Sequence, residues 1–314
     1  MGYDLWPRPY RPMAFAGRVM RLNDDIRKCV GFISGGAGDD FKAFGTGFHI
    51  NYKSVIYFVT ARHVVDPMGD DPFVIRFNGI GGEPHDIGYD STKQGVPPWH
   101  FHPDETVDLA IVQGRNWRGD GIDMLTIPED MLASPEVIES ENIGVGDACY
   151  AVGLFRLMSG KNRILPIVHT GNIAMLPQDE RIPVKNWKLS AGEPPSVEFE
   201  GYLVEMNSLE GLSGSPVFVR STILIEDFPT LDGKTKKVIV PRWKVFLLGV
   251  WRSAWTGDPS AVVAADRTGF KVPVGMGAIE PTSRLLELLE SSPVVSERNA
   301  TLEKRKLADA SSPD

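Results

Sequence analysis

A serine set between two glycines, just before an apolar run, is the residue of this chain best suited to act as a nucleophile. Residues 211–216 read GLSGSP, with Ser213 at the centre, and the apolar run VFV follows. A serine hydroxyl is a poor nucleophile at neutral pH. Acyl transfer therefore needs an imidazole as base, a carboxylate to orient it, and backbone N–H groups to bind the oxyanion.

His63 and Asp108 are the candidate base and orienting carboxylate. His63 ends the segment TARH after a strand-like run, and Asp108 opens the strand-like segment DLAIV. All six histidines precede Ser213, which excludes the order of an α/β-hydrolase, where the histidine follows the serine. In the expected mechanism, Ser213 attacks an acyl carbon, His63 moves its proton and Asp108 fixes the histidine tautomer.

The backbone N–H groups of Gly211 and Ser213 are the expected oxyanion donors. Glycine suits position 211 because the backbone there must approach the reacting centre closely and adopt a positive φ.

Five segments, in this order, resemble the trypsin-like (chymotrypsin-fold) serine peptidases. They are GTGF at 45–48, TARH at 60–63, DLAIV at 108–112, VGDACYAVG at 145–153 and GLSGSP at 211–216. The likeness is greatest to the disulfide-free bacterial HtrA-type protease domains, without a PDZ domain, and it covers about residues 28–290. It implies an all-β fold of two antiparallel six-stranded β-barrels with a C-terminal helix and the three catalytic residues in the cleft between the barrels.

Two departures from the family pattern bear on activation and specificity. Leu212 stands where the family commonly has an acidic residue or asparagine, so it cannot pair with a newly processed N-terminus. The resemblance puts the floor of the primary substrate pocket at Asn207 and its wall at the substrate-binding residues Trp251, Arg252 and Ser253. None of these is a carboxylate, which favours a small, apolar or uncharged polar substrate side chain over a basic one.

Short apolar segments separated by 32 glycines and 24 prolines also favour an all-β architecture. We expect an extended N-terminal arm at 1–26, a first barrel at 27–116, a connection at 117–146, a second barrel with a C-terminal helix at 147–290, and a polar tail at 291–314. The helix is predicted over Pro281–Glu290, with Thr282 or Ser283 as its N-cap. Asp232-Gly233 predicts a hairpin turn.

Composition and motifs limit which cofactors and partners the sequence predicts. A net charge of −8 argues against a nucleic-acid partner, and no glycine-rich nucleotide fingerprint suggests a cofactor. His100 and His102 lie on one side of an extended segment, but no third ligand is evident, so no metal is predicted. Cys29 and Cys149 are expected to be buried, reduced thiols. The first residues lack the apolar core of a secretory signal and no apolar run has membrane length, which predicts a cytoplasmic protein without a membrane partner. The resemblance to the bacterial HtrA-type domains implies a bacterial protein.

The sequence leaves two functions open. The first is a serine endopeptidase that hydrolyses peptide bonds of a protein or peptide substrate through an acyl-enzyme. The alternative is a protease-like module that binds a peptide or partner while its active site is held inactive. An intermediate hypothesis is a regulated enzyme, in which loops around Leu212 or the 222–241 hairpin keep the oxyanion hole unformed until an activating protein partner binds.

Overall fold

A computed structural model describes residues 23–69, 71–89, 99–114, 118–160, 163–185, 196–207, 211–229, 234–257 and 272–311. Most of the predicted N-terminal arm and the Asp232-Gly233 turn lie outside these residues. Within them the fold is mainly β, with a closed six-stranded barrel and helices at the C-terminal end.

The first sheet has the order β5-β4-β1-β2-β3-β7-β6, and β8 pairs in parallel with β2. Six of its strands have four residues or more, while β6 and β8 are two-residue additions to the six strands predicted. β-branched and aromatic residues form the central strands, as in VIYFVT of β3, whose side chains are almost all buried. The strands are β1 Val30–Ser34, β2 Gly45–Tyr52, β3 Val55–Thr60, β4 Phe73–Asn78, β5 Pro84–Tyr89, β6 His100–Phe101, β7 Ala110–Gln113 and β8 Ile127–Pro128.

Two short helices follow strands of the first sheet. Helix α1, Arg62–Val65, comes directly after β3, so β3 fixes the position of His63. Helix α2, Pro135–Ser140, lies in the connection between the two sheets and begins at Ser134, whose hydroxyl accepts the Val137 N–H at 3.3 Å.

The second sheet closes as a barrel in the order β10-β13-β16-β15-β14-β9, while β11 and β12 form a separate two-stranded sheet. The predicted hairpin is confirmed, since β14 pairs with β15 from Pro216↔Val250 out to Pro229↔Thr235. The strands are β9 Ala148–Gly153, β10 Ile167–Met175, β11 Ile182–Lys185, β12 Ser196–Phe199, β13 Tyr202–Met206, β14 Pro216–Pro229, β15 Thr235–Gly257 and β16 Val272–Pro281.

The predicted C-terminal helix is present as α3, Thr282–Leu289, but its cap differs from the prediction. Pro281 occupies the N-cap position. The Thr282 hydroxyl instead donates to the Leu247 carbonyl at 2.6 Å, because this threonine is buried against β15. Three leucines of α3 are buried and hold the helix on the body of the protein: Leu285, Leu288 and Leu289.

Most of the segment predicted as a polar tail forms a second helix, α4, over residues Ser292–Ser311. Val294 is fully buried, and Arg298 donates to the Leu289 carbonyl at 3.0 Å. Leu302 also packs against the core, while polar pairs such as His100 with Glu297 and Gln113 with Thr301 join the helix to the first sheet. Among the described residues, no helix is both long and apolar enough to cross a membrane.

Both cysteines are buried and neither forms a disulfide, as predicted. Burial raises the pKa of Cys29 and of Cys149 to about 12, so both remain protonated thiols at neutral pH.

Candidate active site

His63 and Asp108 form a hydrogen-bonded pair in the first sheet, just after β3 ends and just before β7 begins. The His63 Nδ1 and Asp108 Oδ2 atoms are 2.6 Å apart, and the His63 backbone N–H donates to Asp108 Oδ1 at 2.9 Å. The Asp108 side chain is 1% exposed and that of His63 is 27% exposed. An Nδ1–H donated to a carboxylate leaves Nε2 as the basic nitrogen, which is the tautomer that a general base requires.

Asp108 remains a carboxylate despite its burial. Burial alone would raise its pKa, but the charge and hydrogen bonds of His63, together with the charge of Arg252, outweigh burial and hold the pKa below its usual value. The Asp108 carboxylate can therefore stabilise the positive charge of a protonated His63.

A buried acidic residue lies directly behind Asp108. Glu280 Oε1 accepts the Asp108 backbone N–H at 3.0 Å and pairs with Arg252 Nη1. Sequence analysis missed Glu280. The available signal was a single charge near the end of the run VPVGMGAIEP, which otherwise lacks charged residues.

Ser213 lies on a turn between two glycines with positive φ. Gly211 has φ +109°, as expected for an oxyanion donor position, and Gly214 has φ +82°. The turn is held by its backbone, since the Ser213 carbonyl accepts the Thr46 N–H at 3.0 Å and the Gly214 N–H donates to the Trp251 carbonyl at 2.9 Å. These bonds fix the serine between the two sheets.

Thr46 is the main link between the nucleophile turn and the first sheet. This fully buried residue donates its hydroxyl to the Gly211 carbonyl at 2.9 Å and accepts the Leu154 N–H at 3.0 Å. Its own carbonyl accepts the Thr60 hydroxyl at 2.6 Å. Sequence analysis used the GTGF segment only as a family feature and did not assign it this contact.

The two halves of the site meet through β2 and β3. Gly47 of β2 pairs with Thr60 of β3, three residues before His63, while Thr46 holds the Ser213 turn. Among the described residues, no hydrogen bond joins Ser213 to His63. The structure therefore places the nucleophile turn and the His–Asp pair on adjacent backbone without a direct bond between them.

The residues expected around the substrate fall into two groups. Asn207 is exposed and Ser253 is partly exposed. Trp251 and Arg252 are each only 2% exposed, so their side chains do not form an open pocket wall. Trp251 belongs to the core of the second barrel and packs against Gly277, whereas Arg252 turns toward Glu280.

The two histidines considered as a metal pair each face a glutamate of a C-terminal helix. His100 Nε2 lies 2.8 Å from Glu297 Oε2, and His102 Nε2 lies 3.2 Å from Glu287 Oε2. In the part of the chain that the structure describes, there is no group of three or more metal-ligating side chains that could hold an ion.

No family model and no curated protein matches the chain. Solved structures show similarity at low identity. The Rv3671c protease from M. tuberculosis in its active form has a TM-score of 0.45 and 17% identity, over 85% of this chain and 83% of that chain. Deg5 has a TM-score of 0.40 and 18% identity, over 80% and 85%. The MamO protease domain from Magnetospirillum magneticum has a TM-score of 0.40 and 14% identity, over 70% and 95%. These scores carry no argument about activity.

Proposed function

We propose that this chain is a serine endopeptidase that hydrolyses peptide bonds through an acyl-enzyme on Ser213. The observation that carries the proposal is the 2.6 Å contact between His63 Nδ1 and the buried carboxylate of Asp108. A partly exposed imidazole held by a buried carboxylate, beside a serine on a glycine turn, is the arrangement that activates a hydroxyl for acyl transfer.

The proposed reaction has two stages. Ser213 Oγ attacks the peptide carbonyl carbon while His63 Nε2 takes the hydroxyl proton, and Asp108 stabilises the imidazolium. The imidazolium then gives its proton to the amine that leaves as the C–N bond breaks. In the second stage water attacks the acyl-enzyme, His63 takes the water proton, and the proton returns to Ser213 as the acid product departs.

The backbone N–H groups of Gly211 and Ser213 would bind the oxyanion in both stages. Neither N–H donates a hydrogen bond to another described residue, whereas Gly214 and Ser215 beside them both donate to carbonyls. The Gly211 carbonyl is held by Thr46, so this part of the turn has a fixed orientation. Free donors in a fixed backbone are what an oxyanion site requires.

The proposed substrate is a protein or peptide segment with a small, apolar or uncharged polar side chain next to the cleaved bond. Asn207 and Ser253, the exposed members of the expected pocket, carry no charge. We further propose a cytoplasmic setting, supported by two buried cysteines that form no disulfide, and a bacterial origin, which the sequence resemblance implies.

A second candidate function is a protease-like module that binds a peptide or partner while its active site is held inactive. The observation that favours it is the missing hydrogen bond between Ser213 and His63 among the described residues. Catalytic hydrogen bonds are often long in unliganded enzymes and shorten only when substrate binds, so this observation does not exclude the endopeptidase.

Labelling with a fluorophosphonate probe separates the two functions. The wild type should be labelled, Ser213→Ala should not be, and Ser215→Ala should be labelled as the wild type is. Ser215 is the matched control because it lies in the same turn but is fully buried. Hydrolysis of a peptide library by the wild type and not by Ser213→Ala would then identify the substrate class.

Each outcome of the labelling experiment supports or contradicts one of the two functions. Labelling of the wild type only after a candidate partner is added would support the regulated form of the proposal. Labelling that survives in Ser213→Ala would place the nucleophile elsewhere, and no labelling or hydrolysis under either condition would leave the binding module as the function.

A further inference from the structure

A buried ion pair in the second barrel contacts the backbone of the segment that carries Asp108. Arg252 of β15 is 2% exposed and Glu280 of β16 is 1% exposed. Glu280 Oε1 accepts the Asp108 N–H at 3.0 Å, and Arg252 Nη1 donates to the Thr106 carbonyl at 2.7 Å. The pair therefore holds both ends of Thr106–Asp108, a loop segment between β6 and β7 of the first sheet, from the second barrel.

The held segment has further contacts that make it a defined loop. Asp104 Oδ1 accepts both the N–H and the hydroxyl of Thr106, at 2.9 and 2.8 Å. Val107, between the two held residues, is buried. A displacement of Thr106 or Asp108 would thus move the carboxylate that His63 needs.

Stability alone is a poor explanation for this ion pair. Burying two charges costs several kcal/mol, and apolar residues of similar volume often replace such a pair without loss of stability. Here Arg252 Nη2 and Glu280 Oε2 are buried and have no hydrogen-bond partner among the described residues. The Arg252 guanidinium lies 4.5 Å from the centre of the Phe199 ring, which shields it from water.

We infer that Arg252 and Glu280 are positioning residues. From the second barrel, they hold the backbone of the loop between β6 and β7 of the first sheet so that the Asp108 carboxylate stays within hydrogen-bond distance of His63. This inference rests on the proposed function, and it gives Arg252 a role different from the pocket wall expected from the sequence. Neither residue touches a reacting atom. Both act through the backbone of Thr106 and Asp108.

The test uses a double variant, Arg252→Met with Glu280→Leu, which removes the backbone contacts while leaving an apolar pair of similar volume. We expect it to fold with a melting temperature near that of the wild type. Its kcat on a peptide substrate should fall by roughly 10- to 100-fold with KM unchanged, because a small displacement of a catalytic group is costly. The downfield proton resonance of His63 Nδ1–H should weaken or disappear.

A conservative variant and a remote pair provide the controls. Glu280→Gln keeps an oxygen that can accept the Asp108 N–H. This variant should therefore keep most of the wild-type kcat and the His63 Nδ1–H resonance, which the double variant loses. The remote control is Arg76→Met with Asp86→Leu, which removes a partly buried pair between β4 and β5 with an Nε to Oδ1 distance of 2.5 Å. This remote double variant should have the kcat and the His63 Nδ1–H resonance of the wild type.

Three results would overturn the inference: wild-type kcat and resonance in the double variant, a rise in KM alone, or a Glu280→Gln variant as impaired as the double variant. A rise in KM alone would return Arg252 to substrate binding. If the wild type itself neither labels nor hydrolyses substrate, the proposed function fails. The His63 resonance in the wild type and the variants then decides the positioning role separately.

Discussion

The two halves of the candidate site are held by different kinds of contact. On the base half, His63 is fixed by side-chain bonds to a buried carboxylate, and Asp108 is backed by Glu280. On the nucleophile half, Ser213 is fixed through its own carbonyl and by neighbouring glycines with positive φ. Charge and hydrogen bonding define the first half, and backbone shape defines the second.

This difference predicts which substitutions each half tolerates. Changes that conserve volume but remove charge should impair the base half while leaving the fold intact. The nucleophile half should instead be sensitive to added volume, because the Ser213 turn is held through its own backbone atoms, which no side-chain exchange within the turn removes. The predictions below test that division, from the largest expected effect to the smallest.

Asp108→Asn should produce the largest loss of activity. The amide keeps the shape of the carboxylate but favours the wrong tautomer of His63, and a change of this kind in a comparable triad lowers kcat by about 10⁴-fold. Peptide hydrolysis measures the effect, and an unchanged circular dichroism spectrum shows that the fold persists. Activity within tenfold of the wild type would show that charge does not define the base half.

Gly214→Ala should be the most damaging change for the fold around Ser213. Its φ is +82°, and an added Cβ would lie 2.1 Å from the Thr46 carbonyl oxygen and 2.2 Å from the Thr60 hydroxyl. The matched control is Gly82→Ala, where φ is +91° but nothing lies within 4 Å. We expect Gly82→Ala to cost about 1 kcal/mol of unfolding free energy and Gly214→Ala about 2 kcal/mol more.

Urea unfolding measures both glycine variants. Equal losses would mean that backbone conformation alone matters, and that close approach to Thr46 does not hold the nucleophile half. In the expected case, Gly214→Ala also loses probe labelling while Gly82→Ala keeps it.

Val294→Ala tests whether helix α4 supports the base half from outside. Val294 is fully buried, whereas Leu307 of the same helix is 70% exposed. Val294→Ala should cost about 2 kcal/mol, and Leu307→Ala should stay within about 0.5 kcal/mol of the wild type. Thermal unfolding measures the stability of both variants. Equal melting temperatures would show that α4 does not stabilise the rest of the protein.

The smallest expected effect is a pH dependence of stability that originates at Glu280. Burial raises the pKa of Glu280 to about 7, with the charge of Asp108 adding to it and Arg252 opposing it. Between its ordinary pKa of 4.5 and about pH 7, the folded state retains a proton that the unfolded state has lost. Stability should therefore fall as pH rises through this window.

Glu280→Gln should remove this contribution. Denaturation of both proteins at several pH values between 4.5 and 7 measures the difference in slope. The opposite trend is expected below that window, because the lowered pKa of Asp108 contributes stability that is lost as pH falls. Parallel slopes in the two proteins would show that Glu280 does not titrate there.

Local patterns were enough to predict several parts of the molecule. The positive φ of Gly211 and the strand pairing of the long hairpin each depend on a few neighbouring residues. Helix α3 was also predictable, because its buried leucines recur at helical spacing.

The remaining features depend on contacts between distant residues. Arg252 and Glu280 are 28 positions apart, and no spacing rule brings them together. Helix α4 has few apolar residues, and its attachment depends on partners in the first sheet, such as Gln113, which donates to the Thr301 hydroxyl at 2.7 Å. Thr282 was misassigned as a cap because its buried acceptor, the Leu247 carbonyl, is 35 positions away.

The position of α4 in the chain also has a consequence for biosynthesis. Its contacts with His100 and Gln113 join residues 197 and 188 positions apart. A ribosome must therefore have synthesised the first sheet and the second barrel before this helix can dock on the first sheet. Throughout translation the first sheet emerges without its outer helix, and a chain that stalls within the second barrel exposes the surface that α4 later covers.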